Sequence, residues 1–155
     1  MQLPAAELDR FHSAQSADSP SAHDRALAEL RSGRKSSHWI WFVLPQLAGL
    51  GRSAMAQRYG VSGLTEARAY LADPLLLQRL EAVIAVMDEQ LRQPGQSLEH
   101  LMGGGLDAAK TVSSLTLFET AGLESAGTLL DRIGRRCGQS LERLSLAQSA
   151  QSPTE

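Results

Sequence analysis

The chain has 155 residues, 21% of them charged, and a formal net charge of −2. That length fits one domain with a core of its own, and the near balance of charge lacks the basic excess of a general nucleic-acid binder. Its one cysteine, Cys137, excludes an internal disulfide and a thiolate metal cage, and no stretch approaches the ~18 apolar residues of a membrane span.

Taken in order, the residues predict helix nearly everywhere. Leu8 and Phe11 open a short amphipathic turn. Ser21-Ala-His-Asp24 reads as a capping box, and the helix it starts, with Leu27 and Leu30 on one side, stops at Gly33. Next comes "GRKSSHWIWFVLPQLAGLG", Gly33 to Gly51, which holds both tryptophans. Its β-branched and aromatic residues favour extension, but a lone strand would have no partner, so Lys35 to Leu44 is read as a buried helical stretch. "GRSAMAQRYG" is a short helix, and "LTEARAYLADP" another, with Thr65 as N-cap. Asp73-Pro74 restarts the chain as a cap followed by proline at the first helical position. The helix beyond carries Leu76, Leu80, Val83, Ile84, Met87 and Leu91 on one face. Ser97 caps a single turn that runs into Gly103-Gly104-Gly105. Asp107 is then read as the cap of a helix reaching Gly122. A further helix runs from Leu123 to about Arg136, and "LERLSLAQ" is weakly amphipathic. No segment alternates with period two. The expected fold is all-α, a compact irregular bundle of about six to eight helices, with one domain over 5–145 and a polar, frayed tail over 146–155.

Two segments gather polar groups beside aromatic ones. If Lys35 to Leu44 is helical, Lys35, Trp39 and Phe42 share one face, Ser37 and Trp41 the next, and His38 sits between. An ammonium, a hydroxyl and an imidazole beside two indoles suit a pocket that stacks a planar ring and holds an anion. On the helix after Asp107, Lys110, Ser113 and Ser114 share a face, and three glycines precede it, so its first N–H groups could receive an anion. Asp107 itself opposes that, and "GGGLDAAK" is no P-loop.

Other chemistries drop away. The four histidines lack ligand spacing, so no metal site is expected, and "GRSAM" is not a nucleophile elbow. The setting of Cys137, "GRRCGQS", is electropositive, yet an arginine-rich helix end makes an incidental thiol the plainer reading. The basic clusters at Arg31, Arg34 and Lys35 and at Arg132, Arg135 and Arg136 read as solvated helix ends. "MQLPAAELDRFHSAQ" has no apolar signal-peptide core, which places the expected location in the cytoplasm.

"ALAELRSGRKSSHWIWFVLPQLAGLGRSAMAQRYGV", "LTEARAYLADPLLLQRL" and "KTVSSLTLF" together resemble the bacterial domain-of-unknown-function family eighteen-ten, over roughly residues 8–133. Members are often labelled calpastatin, but a protease inhibitor of that kind is long, repetitive and disordered. The resemblance implies a small all-α bacterial cytosolic protein and no established activity. Its polar signature falls on Lys35, Ser37, His38, Trp39, Trp41, Pro45 and Gln46, and on Asp107, Lys110, Ser113, Ser114, Thr116 and Phe118. The chain departs from it at His23, at Leu101-Met102-Gly103 and in the C-terminal "GRRCGQSLERLSL".

Two functions remain open. In the first, the two segments face one another and bind an anionic small molecule with a planar ring, of nucleotide type. Lys35 and Lys110 hold the charge, Trp39 or Trp41 stacks the ring, and Ser114 and Gln46 orient it. Ser37, Asp107 and Ser113 complete the lining, and His38 is the candidate acid/base. No cofactor is called for and no protein partner is identified. In the second, the chain is a non-enzymatic structural or protein-interaction module. Ser113 and Ser114 then bond backbone one turn back, and Lys35 pairs with a carboxylate such as Asp107.

Overall fold

The computed structural model describes residues 5–151, with side chains from 7 to 147. Among the described residues there are ten helices: α1 Ala5–Ser16, α2 Ala22–Arg31, α3 Ile40–Val43, α4 Ala54–Tyr59, α5 Leu64–Ala72, α6 Pro74–Leu91, α7 Leu98–Leu101, α8 Gly105–Thr120, α9 Glu124–Ile133 and α10 Gly138–Gln151. The class is all-α as expected, and the count exceeds six to eight because single turns such as α3 and α7 stand as separate elements. The only sheet-like contact among the described residues is an isolated parallel bridge between Leu47 and Val61. Part of the tail expected to be frayed, up to Gln151, is helical, and the rest lies outside the described residues.

Local signals set several boundaries. The Ser21 hydroxyl accepts the Asp24 N–H at 3.1 Å and starts α2, and Gly33, with φ of 97°, follows its end. Asp73 Oδ1 accepts the N–H groups of Leu75 and Leu76, with Pro74 at the first position of α6. Its Oδ2 lies 2.8 Å from His12 Nε2, which ties α1 to the head of α6. Ser97 caps α7 through the His100 N–H.

Three expectations need correction. α1 is a twelve-residue helix rather than a short turn. α5 is capped at Gly63, not Thr65, because Glu66 turns inward, accepts the Ser62 N–H and pairs with Arg10. Lys35 to Trp39 are not helical, and α3 begins only at Ile40. The physical reason lies in Glu29, whose carboxylate takes the N–H groups of Ser36 and Ser37 and fixes that stretch outside a helix.

α6 contributes Leu76, Leu80, Val83, Ile84 and Met87 to the core, and α2 and α9 pack beside it. A cluster of rings joins α1, α3, α4, α5 and α8: Phe11 lies 5.2 Å from Tyr70, Phe42 5.4 Å from Tyr59, and Tyr70 5.0 Å from Phe118. α8 is buried on all sides from Thr111 to Phe118. Polar residues survive there because Thr111, Ser113 and Thr116 donate their hydroxyls to the carbonyls of Asp107, Ala109 and Val112, one turn back.

Candidate functional site

The site begins at the end of α2. A carboxylate in the last turn of a helix faces the negative end of the dipole and is unfavourable there unless something else holds it. Glu29 occupies that position and is held by four donors. Its Oε1 accepts the N–H groups of Ser36 (2.7 Å) and Ser37 (2.9 Å) and the indole N–H of Trp39 (3.0 Å), and its Oε2 accepts the Ser37 hydroxyl. Partial burial pushes this carboxyl up, but the four hydrogen bonds outweigh it and hold the group at about 2. Trp39, with no exposed surface, is therefore part of the frame.

The same stretch is fastened to the turn before α8. The Lys35 N–H donates to Leu101 O at 2.7 Å. Gly103, at φ of 80°, passes so near that a Cβ there would stand 3.0 Å from Lys35 O. This close approach requires glycine and delivers the Lys35 side chain to α8. Its buried ammonium donates to Ser37 O at 2.6 Å, pairs with Asp107 Oδ2 at 2.8 Å and lies 5.0 Å from the Trp39 ring centroid.

Asp107 is the third residue of α8, not its cap: Gly104 holds the cap position and offers no side chain. The carboxylate turns instead toward two ammonium groups, since Lys110 Nζ lies 3.7 Å from its Oδ1. Lys110 is about a third exposed and stands 5.4 Å from the ring centroid of the half-buried Trp41. Lys35, Ser37, Trp39, Trp41, Asp107 and Lys110 thus lie together.

The remaining residues are placed differently. His38 is exposed. Gln46 accepts the Val61 N–H through its backbone carbonyl. With Trp41, Leu47, Gly51, Tyr59 and Gly60, Gln46 also lines a hollow of about 10 Å³, room for one water and no larger ligand. Trp41 Nε1 is buried without a partner. Ser113 bonds to Ala109 O and meets the sulfur of Cys137 at 3.2 Å, and the fully buried Ser114 hydroxyl has no partner.

Glu29 carries much of this geometry without having been singled out in the sequence, and Gly103 reads there as one of three glycines before the helix rather than as a close approach to Lys35. The one signal for Glu29 is its acid at the wrong end of a helix. Among the described residues no group of three or more His, Cys, Asp or Glu side chains could hold a metal ion. No described helix is long and apolar enough to cross a membrane.

The crystal structure of the conserved hypothetical protein Rv1873 from Mycobacterium tuberculosis is similar, at 38% identity and a TM-score of 0.81. The match covers 92% of this chain and 99% of that one. No curated protein matches. A family model described as "Protein of unknown function (DUF1810)" matches residues 5–138, and the chain belongs to that family.

Proposed function

We propose that the chain binds an anionic small molecule with a planar ring, of nucleotide type, where the first turn of α8 meets Lys110 and Trp41. The observation that carries this reading is the sharing of one carboxylate, Asp107, by two ammonium groups at 2.8 and 3.7 Å. Asp107 alone would repel an anion. Engaged by two cations, Asp107 leaves that trio one net positive charge, beside roughly half a charge from the N-terminus of α8, while the Glu29 carboxylate of the frame is turned to its own four donors. The first-turn N–H groups have no helical carbonyl to meet, and no side chain caps them.

Within this site the roles divide by exposure. Lys35, Ser37, Glu29, Trp39 and Asp107 form the fixed frame. Lys110 has N–H donors to spare and contacts the phosphate. Stacking falls to Trp41, because Trp39 has no free face. His38 is exposed, and in this reading any proton exchange with a bound ligand falls to its imidazole, with turnover the lesser part of the proposal. The test is thermal unfolding with inorganic phosphate and with nucleoside mono-, di- and triphosphates, for wild type, Lys110→Ala and His38→Ala. Wild type should gain melting temperature with at least one nucleotide beyond the effect of phosphate, and Lys110→Ala should lose that gain. A wild type that responds to none defeats the proposal.

A second reading has its own support. Lys35 spends its ammonium on Ser37 O and Asp107, and Ser113 donates to backbone one turn back. These contacts are what a buried structural network requires. In that case Lys110→Ala changes stability slightly and no ligand is found.

A further inference from the structure

Cys137 offers a second chemistry, independent of the anion site. It is the residue just before α10, and its carbonyl accepts the Leu141 N–H at 3.1 Å, so it occupies the N-cap position of a fourteen-residue helix. The thiol fills the role a serine hydroxyl would take: Ser140 N donates to Sγ at 3.4 Å. Its backbone N–H is anchored on α8 through Thr116 Oγ1 at 3.0 Å. The side chain is partly exposed and so open to a small reagent.

Two serines complete the setting. Ser113 Oγ lies 3.2 Å from Sγ and 3.1 Å from Ala109 O, and one hydroxyl hydrogen cannot serve both. With a neutral thiol, S–H donates to Ser113 and Ser113 to the carbonyl. With a thiolate, the Ser113 hydrogen swings to sulfur. The Ser140 hydroxyl is fully buried and has no hydrogen-bond partner, and it belongs to the residue whose own N–H meets the sulfur at 3.4 Å. Ionising the sulfur, or adding an oxygen to it, gives that orphaned donor an acceptor.

The neighbouring cations do not account for this. Arg136 is paired with Glu119 of α8 and Asp131 of α9, and Arg135 with Glu99 of α7. Burial pushes the thiol up, and hydrogen bonding to the charged form of the sulfur from Ser113, Ser140 and the Gln139 N–H outweighs it and holds the group below its ordinary value.

We propose that Cys137 is a modification site, a thiolate that hydroperoxides oxidise to a sulfenate whose oxygen is held by the Ser140 hydroxyl and the N-terminus of α10. The sulfur attacks the distal peroxide oxygen, the S–O bond forms as the O–O bond breaks, and sulfur is oxidised by two electrons. The proton of the transferred oxygen passes, through solvent water, to the leaving oxygen, which departs as water or an alcohol. The chain has no second cysteine to resolve the product as an internal disulfide.

The experiment uses the full, reduced chain. Alkylation by iodoacetamide is followed from pH 5 to pH 9, folded and in urea, and hydrogen peroxide with dimedone is followed by intact mass. The folded midpoint should fall below that of the unfolded chain, and one dimedone adduct should form, absent in Cys137→Ser. Ser140→Ala should raise the midpoint and slow alkylation at pH 7 at least about threefold. A folded midpoint equal to or above the unfolded one, or no adduct in the wild type, overturns the proposal, and both readouts stand without the serine variant.

Discussion

Replacing Glu29 by glutamine tests whether ionic hydrogen bonding, rather than packing, holds the Ser36–Trp39 stretch in place. Glutamine keeps the shape and an oxygen for the N–H groups of Ser36, Ser37 and Trp39, and it removes the charge. A carboxyl held at about 2 instead of 4.5 contributes at most ~3.4 kcal/mol. Glu29 is only half-buried, so solvent screening brings the expected loss at pH 7 to ~1.5–2 kcal/mol.

The pH dependence carries the diagnostic sign. A group with a depressed folded value stabilises fully above its unfolded value of 4.5 and loses that stabilisation as pH falls toward 2. Urea unfolding of wild type and Glu29→Gln, read by tryptophan fluorescence, should show a gap near neutrality that closes between about pH 4.5 and pH 2. Other carboxylates titrate alike in both proteins and cancel in the difference. A gap that stays constant down to the acid end would mean that glutamine merely packs badly, and the ionic account would be refuted.

Lys35→Met should cost ~2–3 kcal/mol by urea titration, below the range for fully buried pairs because Asp107 keeps a quarter of its side-chain surface exposed. A loss under about 0.5 kcal/mol would show that the pair is dispensable. Gly103→Ala should destabilise by ~1–2 kcal/mol, since it combines a φ of 80° with a 3.0 Å approach to Lys35 O. Gly105→Ala, with nothing within 4 Å, should be neutral or stabilising, by up to ~1 kcal/mol. Equal losses at the two glycines would count against the account of the turn. His23 is buried, and desolvation, then the Arg79 guanidinium, hold its imidazole below 6.5 against the opposing pull of Asp24. The unfolded chain therefore binds the proton more readily, so melting temperature should fall as pH drops below about 6.5 and be level above it, with a shallower slope in His23→Phe. Equal slopes in both would assign the acid sensitivity elsewhere.

What the sequence disclosed and what it concealed divide by range. The caps at Ser21, Asp73 and Ser97 were readable because each side chain bonds an N–H two or three residues on. The α6 stripe was readable because it repeats with the helix. Lys35 to Trp39 misled because their own residue types allow helix, and the carboxylate that overrides them sits in the preceding element. Asp107 looked like a cap for the same reason: aspartate favours that role locally, and a lysine from a distant segment redirects it. That the two signature segments meet was a guess in the sequence, since nothing in spacing reports a contact across the chain.

The residue types of a polar signature also misstate where a ligand can act. "KTVSSLTLF" looks like a helix with a polar face, yet from Thr111 to Phe118 α8 has no open face. A hydroxyl in a helix can satisfy itself on the carbonyl one turn back, so serine and threonine enter a core at little cost. Three of the four buried ones in α8 do so, at Thr111, Ser113 and Thr116. Polarity therefore does not by itself mark a site in this fold, and neither does an orphaned hydroxyl such as that of Ser114; a shared charge does, or an unsatisfied donor beside a group that can ionise. By that measure Lys110, which shares one carboxylate with a buried lysine and lies 3.7 Å from it, is the cation left to meet an anion. Ser140, with a hydroxyl that has nothing to bond until the neighbouring sulfur ionises, is where a thiol becomes reactive. Lys110→Ala should therefore remove nucleotide binding and leave the thiol's titration alone, and Ser140→Ala should do the reverse. Were either substitution to move both, one connected site would have to replace two separate ones.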